Sequence, residues 1–313
     1  MRMTVAFRIA FASAALGAIA SVAACGSDTG APLEEQTPQD GGPSKRDANR
    51  PPLEEEDAAV PPPDADADAG VWPTCDTKPL AAMEQTIAQI WADNPAVERR
   101  TWISSVYVTA ISGGACSAGK ACQIFVQEKP SYASITEAAQ NAIKLFVSGA
   151  VATHFTTVAV GDRVDVLGGA WRYTLQGQNE LLVQVNAKLP GCVKTISSAN
   201  ALTPIVTTLP DLTVEKYEST HGPLFVKVEG ISGKPASPTE TFGLWTTGVF
   251  EEAGSNIKSL SPFFLQGGTF AGLTSGQTTN FASITGVFGL FVPDGGPKYL
   301  EIYPRSPADI VPE

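Results

Sequence analysis

The chain has 313 residues and a formal net charge of −11 at neutral pH, and that charge is placed unevenly. Residues 26–74 hold 12 acidic and 3 basic side chains, whereas residues 75–313 hold 20 and 16 and stand close to balance. A nearly balanced main region excludes a general polyanion-binding surface, which needs a strong positive field, so no strong nucleic-acid binding is expected.

At the N-terminus, Arg2 and Arg8 precede an uncharged apolar run over 9–20 that is too short to span a bilayer stably. Small residues then lead into a cysteine, as Val22-Ala23-Ala24-Cys25-Gly26. This resembles the lipobox of bacterial lipoproteins, with Val22 standing where that pattern usually has leucine. The resemblance implies a signal peptide over 1–24, cleavage before Cys25 and a diacylglyceryl thioether on Cys25. The alternative is an ordinary secretory signal with a chance cysteine, and either reading takes the mature protein out of the cytoplasm. Gly26 follows the cysteine, where an aspartate retains many lipoproteins at the inner membrane, so residence at the outer membrane is expected. The membrane would then be a partner through the N-terminal lipid.

Residues 25–74 read as a tether. The stretch is rich in Pro, Asp, Glu, Ala and Gly, with almost no aromatic or β-branched residue, so it buries too little apolar surface to offset the entropy of ordering. Its excess of acid should keep it extended. Asp64, Asp66 and Asp68 superficially resemble the opening of a calcium loop, but Gly70 falls one position late and Cys75 stands where a bidentate glutamate is needed.

With Cys25 lipidated, Cys75, Cys116, Cys122 and Cys192 remain, an even count that reads as two disulfides in an exported chain. Three connectivities are formally open. Cys116 and Cys122 flank a Gly/Ser/Lys loop and suit a local bridge, which leaves Cys75 and Cys192 to tie the start of a domain to its end. A metal site is the rival reading, but there is no CxxC pair, and His154 and His221 are far apart. No metal or other cofactor is expected.

The main region is predominantly β. Apolar spacing predicts one amphipathic helix over 81–92, with Met83, Ile87, Ile90 and Trp91 on one side. Runs rich in Val, Ile, Phe, Tyr and Thr, punctuated by turn residues, predict strands over 102–111, 122–127, 142–147, 163–174 and 181–188. After 204–210 a second set falls over 224–231, 241–246, 262–266, 281–291 and 298–303. In both sets the fourth strand is long and broken by glycines, Gly168 and Gly169 in one, Gly286 and Gly289 in the other. Glycine inside a long strand permits the coiling that lets one strand serve both sides of a small barrel. The pattern predicts an all-β fold of two five-stranded units over 75–206 and 207–313, with a short helix before the first; a single ten-stranded sandwich has the same periodicity.

The segments "CQIFVQE" and "VAVGDRVDVLGGAWRYTLQGQNELLVQ" look like those of a family of extracellular bacterial OB-fold domains. That family's hairpin pattern falls here on Gly161, Asp162, Val164, Val166, Gly168, Tyr173, Gly177 and Leu181, and its closing motif on Pro304, Arg305, Asp309 and Ile310. "PFFLQGG" and "FASITGVFGLF" make the second unit a more divergent copy. The resemblance implies tandem OB-like barrels over about residues 85–313, a fold that binds oligonucleotides, oligosaccharides and proteins on the face of its second and third strands and in adjoining loops. It carries little about activity.

Catalytic motifs are missing from the sequence: it holds no HExxH, Walker loop or dinucleotide fingerprint. Ala115-Cys116-Ser117-Ala118-Gly119 lacks the first glycine of a nucleophile elbow. His154 reads as structural or solvent-facing, His221 as a turn residue, and Asp162 and Asp165 as pointing to opposite faces of a strand. Among the aromatics, Phe125, Phe146, Trp171 and Tyr173 in the first unit and Phe242, Trp245, Phe263 and Phe264 in the second read mainly as core, with stacking of bases or sugars open to those that face outwards. Trp171 and Tyr173 share a face with Arg163 and Asp165, and with Arg172, Gln176 and Gln178 they form the expected ligand-contact hairpin. The sequence therefore predicts an envelope lipoprotein acting as a non-catalytic binding or scaffolding module for a glycan, a protein or extracellular nucleic acid. An auxiliary subunit of a secreted nuclease or glycan-acting system is the alternative.

Overall fold

The computed structural model describes residues 72–174, 179–233, 259–260, 279–291 and 298–313. The signal peptide expected over 1–24, Cys25, most of the tether expected over 25–74, Gln176, Gln178 and the strands expected over 241–246 and 262–266 lie outside them.

The described chain begins at a staple. Cys75 is bonded to Cys192 across a sequence separation of 117, and the pair packs with Ala82, Trp102 and Leu167. Just upstream, Trp72 stacks on His154 with centroids 4.3 Å apart and planes 3° from parallel, which gives that histidine a structural partner.

A two-residue strand β1 (Met83–Glu84) comes next, then helix α1 (Ile87–Asp93). The helix expected over 81–92 therefore starts later than its apolar spacing suggests. Thr86 accepts from the Gln89 backbone at 3.1 Å while its own N–H donates to the Gln89 side chain at 2.9 Å, and this capping box fixes the start. Met83 consequently lies half-exposed on β1 instead of on the helix. Asn94, in the left-handed region, ends the helix.

Strands β2 (Arg99–Ile111), β3 (Cys122–Gln127), β4 (Ala142–Val147), β5 (Arg163–Tyr173) and β6 (Glu180–Val185) form a closed barrel. Their order is β2-β3-β4-β6-β5, and β5 returns to pair with β2. β4 and β6 run parallel, while the other four junctions are antiparallel. This is the connectivity of an OB-like barrel. Cys116 and Cys122 bridge the β2–β3 connection.

Alternation along the strands decides what fills the barrel. Ile124, Val126, Ile143, Leu145, Val164, Val166, Leu181 and Val183 point inwards. Ile87, Ile90 and Trp91 of α1 join this core, as do Ala152 and Phe155 of a short 3-10 turn between β4 and β5. At Gly168 a Cβ would stand 2.5 Å from Val183 Cγ1, so the sharp coil of β5 against β6 requires glycine there. Strand β7 (Cys192–Ser197) then pairs with the first half of β5.

The remaining strands build a second sheet: β8 (Ile205–Thr207), β9 (Phe225–Gly233), β10 (Ser259–Leu260), β11 (Thr279–Phe291), β12 (Tyr299–Tyr303) and β13 (Ile310–Pro312). β8 straddles the boundary expected at 206/207. Its order is β10-β12-β11-β9-β8, with β13 on β11. Each of these pairings has a counterpart in the first sheet. β8 lies parallel to β9 as β1 does to β2, and β9–β11–β12 repeats β2–β5–β6. β13 covers the start of β11 as β7 covers β5, and β10 runs parallel to β12 as β4 does to β6. Gly286 occupies the place of Gly168, and a Cβ there would meet the Tyr303 carbonyl oxygen at 2.6 Å.

A short helix α2 (Val214–Lys216) and a π-helical turn over Tyr217–His221 connect β8 to β9. His221, expected in a turn, closes this π segment and is buried, because the turn packs its side chain inwards before Gly222 takes a left-handed φ of 54°. Burial, then Lys216, lowers its pKa, with Asp211 opposing. The closing motif is likewise built for structure. Arg305 donates from its backbone and Nε to one Asp309 oxygen at 2.8 and 3.2 Å and from Nη2 to the other at 3.2 Å, while its guanidinium lies 4.0 Å from the Phe225 ring centre.

Candidate functional site

The outer face of β3, β4, β6 and β5 carries three cross-strand rows. Gln127, Ala142, Glu180 and Tyr173 form one; Phe125, Lys144, Leu182 and Trp171 the next; Gln123, Phe146, Gln184 and Gly169 the third. The rows differ in what lies over them.

Within the first two rows, Ala142, Glu180 and Phe125 are covered by the second half of the chain. Ala142 belongs to the core built with Tyr217, Leu224 and Phe288. Phe125, with Ala110, packs against Val287 and Tyr303. Glu180 is buried and accepts from both Lys144 Nζ and the Tyr217 hydroxyl. A carboxylate in that position is tolerated because both oxygens are occupied, one by a cation and one by a phenol. Burial, followed by the Glu180 charge, pushes the Tyr217 hydroxyl well above its usual range. Tyr303 is raised in the same way by burial and then by its hydrogen-bonded neighbour Glu301.

Among the described residues, no part of the second half packs over the third row. Gln123, Phe146 and Gln184 are each half-buried, and the two glutamine amides flank the phenyl ring on adjacent strands. Directly opposed side chains on such a face lie about 5 Å apart at Cβ, so the three form one contact surface. Trp171 is the diagonal neighbour of Gln184 and is half-buried. It meets Tyr173 edge-to-face at 5.5 Å, and its buried indole N–H has no hydrogen-bond partner among the described residues. Trp171 and Tyr173 thus belong to the outer face, as their alternation indicated. Sequence reasoning weighed Phe146 only as one aromatic among several. Its alternation with Ile143, Leu145 and Val147 gave its direction, but which outward residues stay uncovered depends on the fold of the second half.

Arg172 points the other way. Its Nε donates to Asn94, and its Nη1 donates to the Glu218 carbonyl at 2.9 Å and to Asn179 at 3.3 Å. The guanidinium sits 5.4 Å from the Trp91 ring centre, and burial lowers its pKa, with Glu218 opposing. It lines a cleft of about 740 Å³ with Trp91, Asn94, Asn179, Glu215 and Ser219. Arg172 therefore braces the hairpin against α1 and the π-helical turn, on the opposite side from Trp171.

Two residues weighed for chemistry have structural work instead. Asp162 is buried and accepts from the Ala159 backbone at 2.9 Å and from Thr195 at 3.3 Å. Asp165 accepts from the Ser105 backbone at 2.9 Å. Among the described residues no group of three or more His, Cys, Asp or Glu could hold a metal ion.

The sequence matches no family model and no curated protein. Among solved structures it is similar to a Leishmania major Friedlin chain described as an aspartyl-tRNA synthetase, at 9% identity and a TM-score of 0.26, covering 45% of this chain and 28% of that one. It is also similar to a replication protein A heterotrimer bound to ssDNA, at 14% identity and a TM-score of 0.28, covering 74% of this chain and 49% of that one. The chain thus spans about half or less of those structures. The OB-like assignment rests on the strand pairings themselves.

Proposed function

We propose that this is an envelope-anchored lipoprotein, held by lipid on Cys25, that binds a glycan without turning it over on the open row of the first barrel. The observation that carries the reading is the surface of Phe146 between the Gln123 and Gln184 amides, with Trp171 beside it. An aromatic face with flanking amides suits stacking on a sugar ring and hydrogen bonds to its hydroxyls. It occupies the face that OB-like barrels use for oligosaccharides and oligonucleotides. The near balance of charge in residues 75–313 favours the neutral polymer over the polyanion. In this reading the second sheet closes into a second five-stranded barrel, in which β9, β10, β11 and β12 stand for β2, β4, β5 and β6, and its leading turn fixes how much of the first barrel's face stays free.

Titration of the purified protein against envelope oligosaccharides and single-stranded oligonucleotides tests the site. Phe146→Ala is expected to weaken glycan binding by about 1–3 kcal/mol, the worth of one stacked ring, with an unchanged melting temperature. Binding that ignores Phe146→Ala, or that favours oligonucleotide with a steep salt slope, contradicts the reading. Mass spectrometry of the mature N-terminus tests the anchor, since several acyl chains on Cys25 would hold firmly where one would not. An unlipidated terminus beginning elsewhere refutes that part.

A further inference from the structure

A second depression, of about 350 Å³, lies away from the outer face, between the β1–α1 junction, the middle of β2 and the starts of β5 and of the β3–β4 connection. Its wall opens at an irregularity in the β2–β5 ladder, where the register shifts between Ile103 and Val106. Ser105 sits there with a left-handed φ of 61°, a conformation that is costly for a residue with a Cβ. The corresponding residue of the second sheet is Gly230, also at φ 61°, which meets the same demand without that cost.

The charges around this pocket are matched unequally. Glu84 pairs with Lys78 at 3.1 Å and Glu128 accepts from the Ala88 backbone at 3.2 Å. Arg163 lines the same pocket, 6.0 Å from the Tyr107 ring centre, yet its guanidinium makes no hydrogen bond or ion pair among the described residues. Its Nε is buried without a partner. A partly buried guanidinium with a free fork beside an aromatic ring is the donor set that takes a planar carboxylate through two parallel hydrogen bonds. Gln89 and Ser104 add neutral polar groups at the rim.

We infer that this pocket is a binding site for a small carboxylate-bearing molecule, its carboxylate held by Arg163 and its hydroxyl or amino groups by the polar rim. The volume admits one sugar ring or one amino acid. Both sources share the recognised group, and the test separates them.

Calorimetric titration of the intact purified protein uses glucuronate and L-glutamate, with glucuronate methyl ester as the uncharged control. At least one acid is expected to bind with one site per chain, and the ester is not. Glucuronate alone assigns an acidic sugar, glutamate alone an amino acid, and both together a general carboxylate site. Arg163→Met, which keeps the apolar stem over Tyr107, is expected to weaken binding by about tenfold or more at an unchanged melting temperature. Should that variant fail to fold, Arg163→Lys serves, keeping the charge without the fork and binding more weakly than the wild type. Absence of binding by either acid at millimolar concentration, equal binding of the ester, or wild-type affinity in the folded Arg163 variant overturns the site.

Discussion

On the long opening strand of the first sheet the left-handed residue is Ser105, and on that of the second it is Gly230. The coiling glycine of the first sheet meets the Val183 side chain, and its counterpart in the second meets the Tyr303 backbone. Two sheets with one set of pairings thus spend their irregularities differently. The second meets its backbone demands with glycine and presents Val287 and Tyr303 to its neighbour. The first holds a serine under strain beside a pocket, carries both disulfides and leaves one row of its outer face uncovered. Both proposed ligand surfaces lie on the first sheet, and the second packs over part of it.

The largest effect that can break this contrast lies in the disulfides. Cys75→Ser or Cys192→Ser opens a bridge with a sequence separation of 117, and loop entropy alone puts the loss at about 5 kcal/mol. Cys116→Ser or Cys122→Ser opens a separation of 6, with a loss of about 2 kcal/mol. Denaturant unfolding of the two variants is expected to separate them clearly. Equal losses would mean that the long bridge does not brace the first barrel.

The junction between the halves comes next. Glu180→Ala leaves the Lys144 ammonium and the Tyr217 hydroxyl buried without their acceptor and is expected to cost about 3 kcal/mol or more. A double-mutant cycle with Tyr217→Phe should show strong coupling, because the two residues come from opposite halves. Additive losses would remove the junction from the account.

Much of the first barrel was legible beforehand. The strands over 122–127 and 142–147 are found with those limits, since clean alternation between turn residues leaves little freedom at their ends. The start of α1 was legible too, but in the Thr86–Gln89 spacing and not in the apolar run that suggested an earlier beginning. Short strands such as β7, β8 and β13 pass unnoticed because they pair at sheet margins and carry exposed apolar residues, Ile196 and Val206 among them. The covering of Phe125 and Glu180 could not be read locally, because their partners Val287 and Tyr217 lie far along the chain. The expected hairpin site split for a related reason: alternation sends Arg172 to the side opposite Trp171, where Asn94 and Glu218 hold it.

Glycine substitutions sharpen the comparison at smaller scale. Gly289→Ala would place a Cβ 1.9 Å from the buried Tyr303 ring and is expected to cost about 2–3 kcal/mol through overpacking. Gly169→Ala meets only the end of Leu189, which can turn aside, and should cost less in the same melting assay. A smaller loss at Gly289 than at Gly169 would show that the second sheet is the more yielding of the two.

The smallest effects belong to the left-handed pair. Gly230→Ala is expected to destabilise by about 1 kcal/mol, since a Cβ is strained at that φ even though no described residue lies within 4 Å of it. Ser105→Gly should be neutral or slightly stabilising, because relief of strain offsets the entropy of glycine. Thermal unfolding that shows a clear loss for Ser105→Gly would mean that the serine is kept for stability and not for the pocket beside it.

The second half packs over one end of the first barrel's outer face and, among the described residues, leaves the Phe146 row free. Hydroxyl-radical footprinting of the native protein reads this directly, side chain by side chain. Phe125, Tyr217 and Tyr303 are expected to resist labelling, while Phe146 and Tyr173 on the same face label readily. Strong labelling of Phe125 and Tyr217 under native conditions would contradict the account, because the face would then be open along its whole length.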